Sequence, residues 1–288
     1  MNNNQSARFL IIDGYSKQSR DDLEKAGMAF AWQLYANMLK TYLPDAEYDI
    51  LLPSDEGVSM PDNSQLEVYG GIIWTGCNLS VNDTDNPSVS NQIEMAKRIY
   101  QIGTPSWGSC WGLQIAVVAA GGKVVENPKG REMGFARKIQ LTDQGKDHPM
   151  YEGKASVFDA YISHDDMVSD IPEGGVVLSG NDFTAVQSME VRHQNGVFWA
   201  TQYHPEYDLH EMASLMIARE EKLTNIGYFS GHEDFITYVN LLKDLFAQPN
   251  RKDLRWQLAV DDDVLDQDVK RCEFRNWINK QVVPYLKR

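Results

Sequence analysis

The sequence predicts an α/β fold: a mainly parallel twisted sheet flanked by helices, with an antiparallel insertion and a helical C-terminal extension. Three observations predict it. In the first half of the chain, short apolar runs alternate with stretches of helical spacing, as parallel strands joined by crossover helices require. In the second half, strand-like runs follow one another across short turns, which is the pattern of antiparallel pairing. Past residue 210, helical spacing prevails with little strand character.

Arg8 to Asp13 is a short apolar run ending in Asp-Gly, suited to the first strand of a buried sheet. Helical spacing then runs from about Asp22 to Thr41, with Leu23, Phe30, Leu34 and Met38 on one face. Glu47 to Leu52, closed by Pro53, and Gly70 to Thr75 are the next strands. Asn91 to Gln101 is helical, and Pro105 to Ser109 is a fourth strand. The apolar, Ala-rich run Leu113 to Ala120 is a buried helix. Strands follow at Val124-Val125, Phe135 to Leu141, Ser156 to Ile162, Val176 to Ser179, Ala185 to Met189 and Gly196 to Tyr203. Leu209 to Leu223, His232 to Phe246 and Asp263 to Tyr285 are helical, and Leu265, Val269, Trp277, Ile278 and Val282 share one face of the last.

The most informative residue is Cys110, in Trp107-Gly108-Ser109-Cys110-Trp111-Gly112-Leu113-Gln114. It sits where a strand turns into a helix, with Gly108 and Gly112 at minus two and plus two. That is the G-x-nucleophile-x-G elbow, whose sharp turn lifts a side chain off the sheet. A helix N-terminus also favours thiolate. The competing reading is a buried core cysteine. A cysteine nucleophile needs a base, and the base an orienting group. Ala200-Thr201-Gln202-Tyr203-His204-Pro205-Glu206 supplies both. His204 and Glu206 are two apart, so in an extended chain both side chains project to one side. Taken singly the pair reads as a solvated loop. Taken with the elbow it completes a Cys-His-Glu triad. The elbow geometry also makes the backbone N–H of Trp111 a donor for an oxyanion.

These motifs, G-S-C-W-G-L-Q followed by Q-Y-H-P-E, resemble the class I (triad) glutamine amidotransferase family, with its flavodoxin-like core. The similarity is greatest to the glutaminase part of GMP synthetases and to free-standing γ-glutamyl hydrolases. Three further stretches fit in order. Ile72 to Asn78 resembles the oxyanion strand, Gly130 to Phe135 a glutamate-glycine-aromatic strand entry, and Tyr161 to Val168 a Ser-His segment that contacts substrate. The resemblance covers about residues 7 to 210, implying a catalytic domain there and a helical extension over 211–288. It implies a second oxyanion N–H at Cys77, after Gly76 in the pocket wall. It also implies that Gln114 and the backbone around Ser163 and His164 hold the substrate's amino-acid end. An ordinary buried helix residue is the alternative for Gln114. The family's usual Gly-Gly-Pro reads Gly76-Cys77-Asn78 here, so a side chain shapes the pocket wall and the proline restraint is gone.

The implied reaction is hydrolysis of the γ-glutamyl amide bond of glutamine or a related γ-glutamyl compound through a thioester. The second reading is a glutaminase subunit delivering ammonia to a separate synthetase. A third, a non-catalytic binding module, is disfavoured by the intact Cys110, His204 and Glu206. Neither a Ser-Gly-Gly-x-Asp-Ser phosphate loop nor a Gly-x-x-x-x-Gly-Lys run occurs, so use of ATP by those routes is not expected, and the expected cofactor set is none.

Composition bounds the remaining possibilities. With 288 residues, 42% of them hydrophobic, the chain can bury a sizeable core. A formal charge of −14 argues against a nucleic-acid partner. No apolar run reaches the roughly 18 residues that span a bilayer. Met1 to Ser6 lacks a signal-peptide pattern, and three cysteines without framework spacing suggest a reducing compartment, so the cytoplasm is expected. Asp261-Asp262-Asp263 could be an acidic metal cluster, but a helix start explains it more simply, and no metal is expected. Cys272, among charged residues with no nearby His, reads as non-catalytic.

Overall fold

The computed structural model describes residues 7–288; the stretch Met1–Ser6, read above for a signal peptide, lies outside them. The main sheet has nine strands. Five are parallel: β1 (Arg8–Ile12), β2 (Glu47–Leu51), β3 (Gly71–Trp74) and β4 (Ser106–Ser109) from the first half, and β11 (Gly196–Thr201) from the second. Between β4 and β11 in sequence come β5 (Lys123–Glu126), β6 (Glu132–Leu141), β7 (Val157–His164), β8 (Asp166–Asp170), β9 (Gly175–Gly180) and β10 (Ser188–His193). The sheet order is β2-β1-β3-β4-β11-β10-β9-β6-β7, with β10, β9, β6 and β7 extending it antiparallel. Strands β5 and β8 pair separately in a two-stranded antiparallel ribbon. The expected parallel core with an antiparallel insertion is therefore observed.

β3 and β4 are buried on both faces, which is why β3 reads as an apolar run without polar alternation. Ile72, Trp74 and Phe198 face the helices Pro87–Ile102 and Trp111–Ala119. The opposite face, with Phe9, Ile73, Trp107 and Trp199, is covered by the helix Ala31–Tyr42 and by Phe274, Trp277 and Ile278 near the C-terminus. A third apolar cluster joins Tyr15, Met133, Phe135 and Tyr161 to the helices Leu209–Ala218, His232–Ala247 and Lys252–Leu258.

Local chemistry fixes the helix ends. Pro87–Ile102 starts at Asn86, whose side chain accepts from the Ser88 N–H, and stops at Gly103 with φ +87°. Three helical stretches are more broken than their spacing suggests. The run from Asp22 to Thr41 forms two helices, Lys17–Lys25 and Ala31–Tyr42. Gly27, at φ +91°, ends the first, and the Met28 N–H returns to the Leu23 carbonyl. The run from Leu209 to Leu223 breaks at Arg219 into Leu209–Ala218 and Glu220–Asn225. The run from Asp263 to Tyr285 begins with short pieces because the Asp266 carboxylate accepts the Asp268 and Val269 N–H groups and starts a new turn. Asp261 caps the turn Asp262–Leu265, and Asp263 accepts the Asp159 N–H. No helix among the described residues is long and apolar enough to cross a membrane.

Candidate active site

The site is built at the carboxyl ends of β3, β4 and β11, where ligands bind in open α/β sheets. The Cys110 N–H donates to the Thr201 carbonyl at 2.7 Å, extending the β4–β11 pairing by one residue before the chain turns. Cys110 has φ +50° and ψ −99°, a strained conformation for a residue with a Cβ, and is 5% exposed. The flanking glycines have steric causes. A Cβ at Gly108 would lie 2.6 Å from the Gly112 carbonyl carbon, and one at Gly112 2.8 Å from Trp74 Cβ. The elbow therefore seats its helix directly on the strands. Trp111 begins that helix, where the first N–H groups have no intrahelical partner. Its indole donates to Gln92 at 2.9 Å, and the Trp107 ring is fully buried under the sheet.

His204 enters from the turn after β11. Its backbone N–H donates to the Tyr161 carbonyl at 2.8 Å, and its ring stacks on Tyr207 with centroids 4.1 Å apart and planes 2° apart. Nδ1 pairs with Glu206 Oε1 at 2.7 Å. Nε2 is buried, with no hydrogen-bond partner among the described residues. It is the nitrogen left to meet the Cys110 sulfur. Burial alone would push the ring toward its neutral form, but the Glu206 charge and the Cys110 sulfur outweigh it and raise the pKa to about 9. Glu206 is held in turn: the Tyr35 hydroxyl donates to Oε2 at 2.9 Å, and the Trp107 indole donates to that hydroxyl at 3.2 Å. Gly76 is what lets the ring approach, because a Cβ there would lie 2.7 Å from His204 Cε1 and 3.4 Å from Cys110 Cβ.

A cavity of about 260 Å³ opens beside Cys110, lined by Cys77, Gln114, Ser163 and His164 together with a group of charged side chains. The residues singled out in sequence are thus brought together. Gln114 Nε2 reaches the Asp166 carbonyl at 3.3 Å, and the Cys110 sulfur lies 3.7 Å from the Ser163 carbonyl. The His164 ring is committed to Glu132 at 3.0 Å and to the Asp166 carbonyl at 2.8 Å. Burial holds the Cys77 thiol well above the ordinary cysteine range, and its sulfur packs toward Gly14. Cys272 lies apart, buried against the Glu152 carbonyl.

The charged lining went unread in the sequence. Arg131 donates to Asp165 at 2.6 Å and to the Ser163 hydroxyl at 2.7 Å; Lys222 reaches the same Asp165 oxygen at 2.7 Å. Arg219 contacts the Ser163 hydroxyl at 3.4 Å and the Tyr15 hydroxyl at 3.3 Å. Arg131 and Asp165 sit inside stretches already notable for their neighbours. Arg219 and Lys222 carry no local signal, because they belong to a helical segment that only the tertiary fold brings to the cavity.

Comparison with known proteins places this arrangement. The family model for glutamine amidotransferase class-I matches residues 59–222. A γ-glutamyl-L-1-hydroxyisopropylamide hydrolase of Pseudomonas sp is 30% identical over 289 residues, 99% of this chain and 96% of that protein. The GMP synthase [glutamine-hydrolyzing] of Thermosipho africanus is 34% identical over 160 residues, 55% of this chain but 28% of the synthase. Among solved structures, a glutamine amidotransferase from Thermotoga maritima superposes with a TM-score of 0.65 at 16% identity, covering 97% of this chain and 99% of the other. One from Methylobacillus flagellatus gives 0.61 at 18% identity, over 98% and 94%. The matched family and the full-length relative, taken with the elbow fold, establish that this chain belongs to the class I glutamine amidotransferase family.

Proposed function

We propose that the protein is a stand-alone hydrolase of γ-glutamyl amides, working through Cys110, His204 and Glu206. The observation that carries this reading is the strained Cys110 elbow set against a buried His204 whose Nδ1 is held by Glu206 and whose Nε2 has no other partner.

The Cys110 thiolate attacks the γ-carbonyl carbon, forming a C–S bond as the carbonyl electron pair moves onto oxygen. Backbone N–H groups at Trp111 and Cys77 receive that oxyanion. The tetrahedral species collapses, the C–N bond breaks, and imidazolium Nε2 protonates the departing amine. Acylation removes the negative sulfur that raised the His204 pKa, so the imidazolium gives up its proton to the amine more readily and the ring is left neutral, free to accept a proton in the next step. It then takes a proton from water, whose oxygen attacks the thioester. Glutamate leaves, and the thiolate and imidazolium are restored. Gly76 leaves room for the ring, while Gln114, Ser163 and His164 line the part of the cavity that takes the amino-acid end. The three unpaired cysteines suit a reducing compartment such as the cytoplasm.

The second reading, a glutaminase subunit serving a separate synthetase, draws on the partial likeness to GMP synthases. Two observations favour the hydrolase. The end-to-end relative is itself named as a hydrolase of a γ-glutamyl amide, and this chain's own Arg219 and Lys222 occupy the cavity wall. The test is incubation of the purified chain alone with glutamine and a panel of γ-glutamyl alkylamides, reading released glutamate and amine. Turnover should occur without a partner and be abolished by Cys110→Ala, and a diazo-ketone glutamine analogue should label Cys110. Labelling at another cysteine, or no turnover of any member, would overturn the proposal.

A further inference from the structure

The cavity is lined by five Arg, Lys and Asp side chains: Arg131, Asp165, Asp166, Arg219 and Lys222. Three of them satisfy one another. Arg131 and Lys222 converge on one Asp165 oxygen at 2.6 and 2.7 Å, and these contacts draw the Asp165 pKa down against the effect of burial. Two remain without a charged partner. Arg219 touches only the hydroxyls of Ser163 and Tyr15, both at the long end of hydrogen bonding, and no carboxylate among the described residues lies within ion-pair distance. Asp166 accepts only the Ser80 hydroxyl on its side chain, at 2.7 Å, and pairs with no cation among the described residues.

An unpaired guanidinium and an unpaired carboxylate in one small cavity are an incomplete pair of ion pairs. Each is partly withdrawn from water, so each gains from an opposite charge more than an exposed group would. The cavity is slightly below the ~300 Å³ at which drug-sized ligand sites begin, so it suits an amino-acid-sized group. A γ-glutamyl group carries an anion and a cation on one carbon, at the end remote from its amide. We propose that Arg219 reads the α-carboxylate and Asp166 the α-ammonium of the substrate, so that the enzyme accepts γ-amides of glutamate only when both α charges are free. Arg219 lies at the break between the helices Leu209–Ala218 and Glu220–Asn225, with φ −123°. Recognition of the two α charges is thereby divided between the first residue of β8 and the segment after the triad, rather than supplied by the elbow. This inference rests on the γ-glutamyl amide reading of the site.

The test separates recognition from chemistry by measuring binding to Cys110→Ala, which cannot form the thioester. Glutamine, glutamine α-amide and N-acetylglutamine are titrated by calorimetry. Glutamine should bind at least tenfold tighter than either blocked compound. Adding Arg219→Gln should weaken glutamine about tenfold or more while leaving the α-amide within twofold, and Arg219→Lys should restore part of the loss. Adding Asp166→Asn should do the same for glutamine against N-acetylglutamine. Equal weakening of all three compounds, or unchanged glutamine binding, would overturn the assignment. If charge-selective binding holds but the intact enzyme hydrolyses no γ-glutamyl amide, the proposed reaction fails and the recognition stands. If turnover is robust but indifferent to Arg219 and Asp166, the recognition fails and the reaction stands.

Discussion

His204 shows how a single residue can be set by two opposing forces. Its burial disfavours charge, and Glu206 and the Cys110 sulfur overcome that, so the ring stays protonated to about pH 9 instead of the ordinary 6.5. The sign follows for stability: the contribution is present in full below 6.5 and is lost as pH rises through about 9. The same proton is the one the proposed leaving amine receives. We therefore expect kcat/KM for glutamine to fall on the alkaline side with an apparent midpoint near 9, belonging to the Cys–His couple rather than to either group. Glu206→Gln should move that limb to lower pH. A wild-type profile that stays flat to about pH 10 would remove the imidazolium from the rate-determining proton transfer. Cys110, His204 and Glu206 were legible because each lies in a short motif whose chemistry demands its neighbours. Tyr35, which holds the far oxygen of Glu206, was not, since nothing near it in sequence marks a residue that acts 171 positions away.

At the scale of elements, strands were easier to read than helix boundaries. Apolar strands announce themselves by burial on both faces. The shift of β10 to Ser188–His193, away from the expected Ala185–Met189, reflects its pairing with β11 across the turn at Gln194, whose φ is +51°. The last helices were read as one amphipathic face, and their breaks came from aspartate side chains competing with the helix for backbone N–H groups. What that face meets could not be read. Trp277 is fully buried against Phe9, Trp107 and Phe274, and Phe274 lies 5.8 Å from the Tyr35 ring. This segment thus underlies the Tyr35–Glu206 contact. Trp277→Ala should destabilise the protein by about 3–5 kcal/mol through cavity formation, measured by urea unfolding. A loss below about 1 kcal/mol would mean that the segment is only loosely seated.

For the whole molecule, the alternation of strands and helices specified the parallel core, and the motif order pointed to the sheet edge that carries the candidate site. The third apolar cluster, which carries the helices after residue 208 onto Met133, Phe135 and Tyr161, was not legible in the sequence because the residues it joins lie tens of positions apart. The distribution of charge was hidden for the same reason. A chain of net charge −14 gathers Arg131, Arg219 and Lys222 around one cavity, so its bulk charge says nothing of the field a ligand meets there.

The turn at Cys110 has a consequence for how the protein could lose its chemistry. Its backbone lies at φ +50°, a conformation that costs a residue with a Cβ about 1–3 kcal/mol and costs glycine less. Cys110→Gly should therefore unfold at higher urea than Cys110→Ala while both are inert; the reverse order would show that the turn is unstrained. On stability alone the position would drift to glycine, and a descendant freed from the proposed reaction would become sturdier by surrendering the proposed nucleophile. A cysteine at 110 is the more fragile choice, a cost in stability that the proposed reaction would offset.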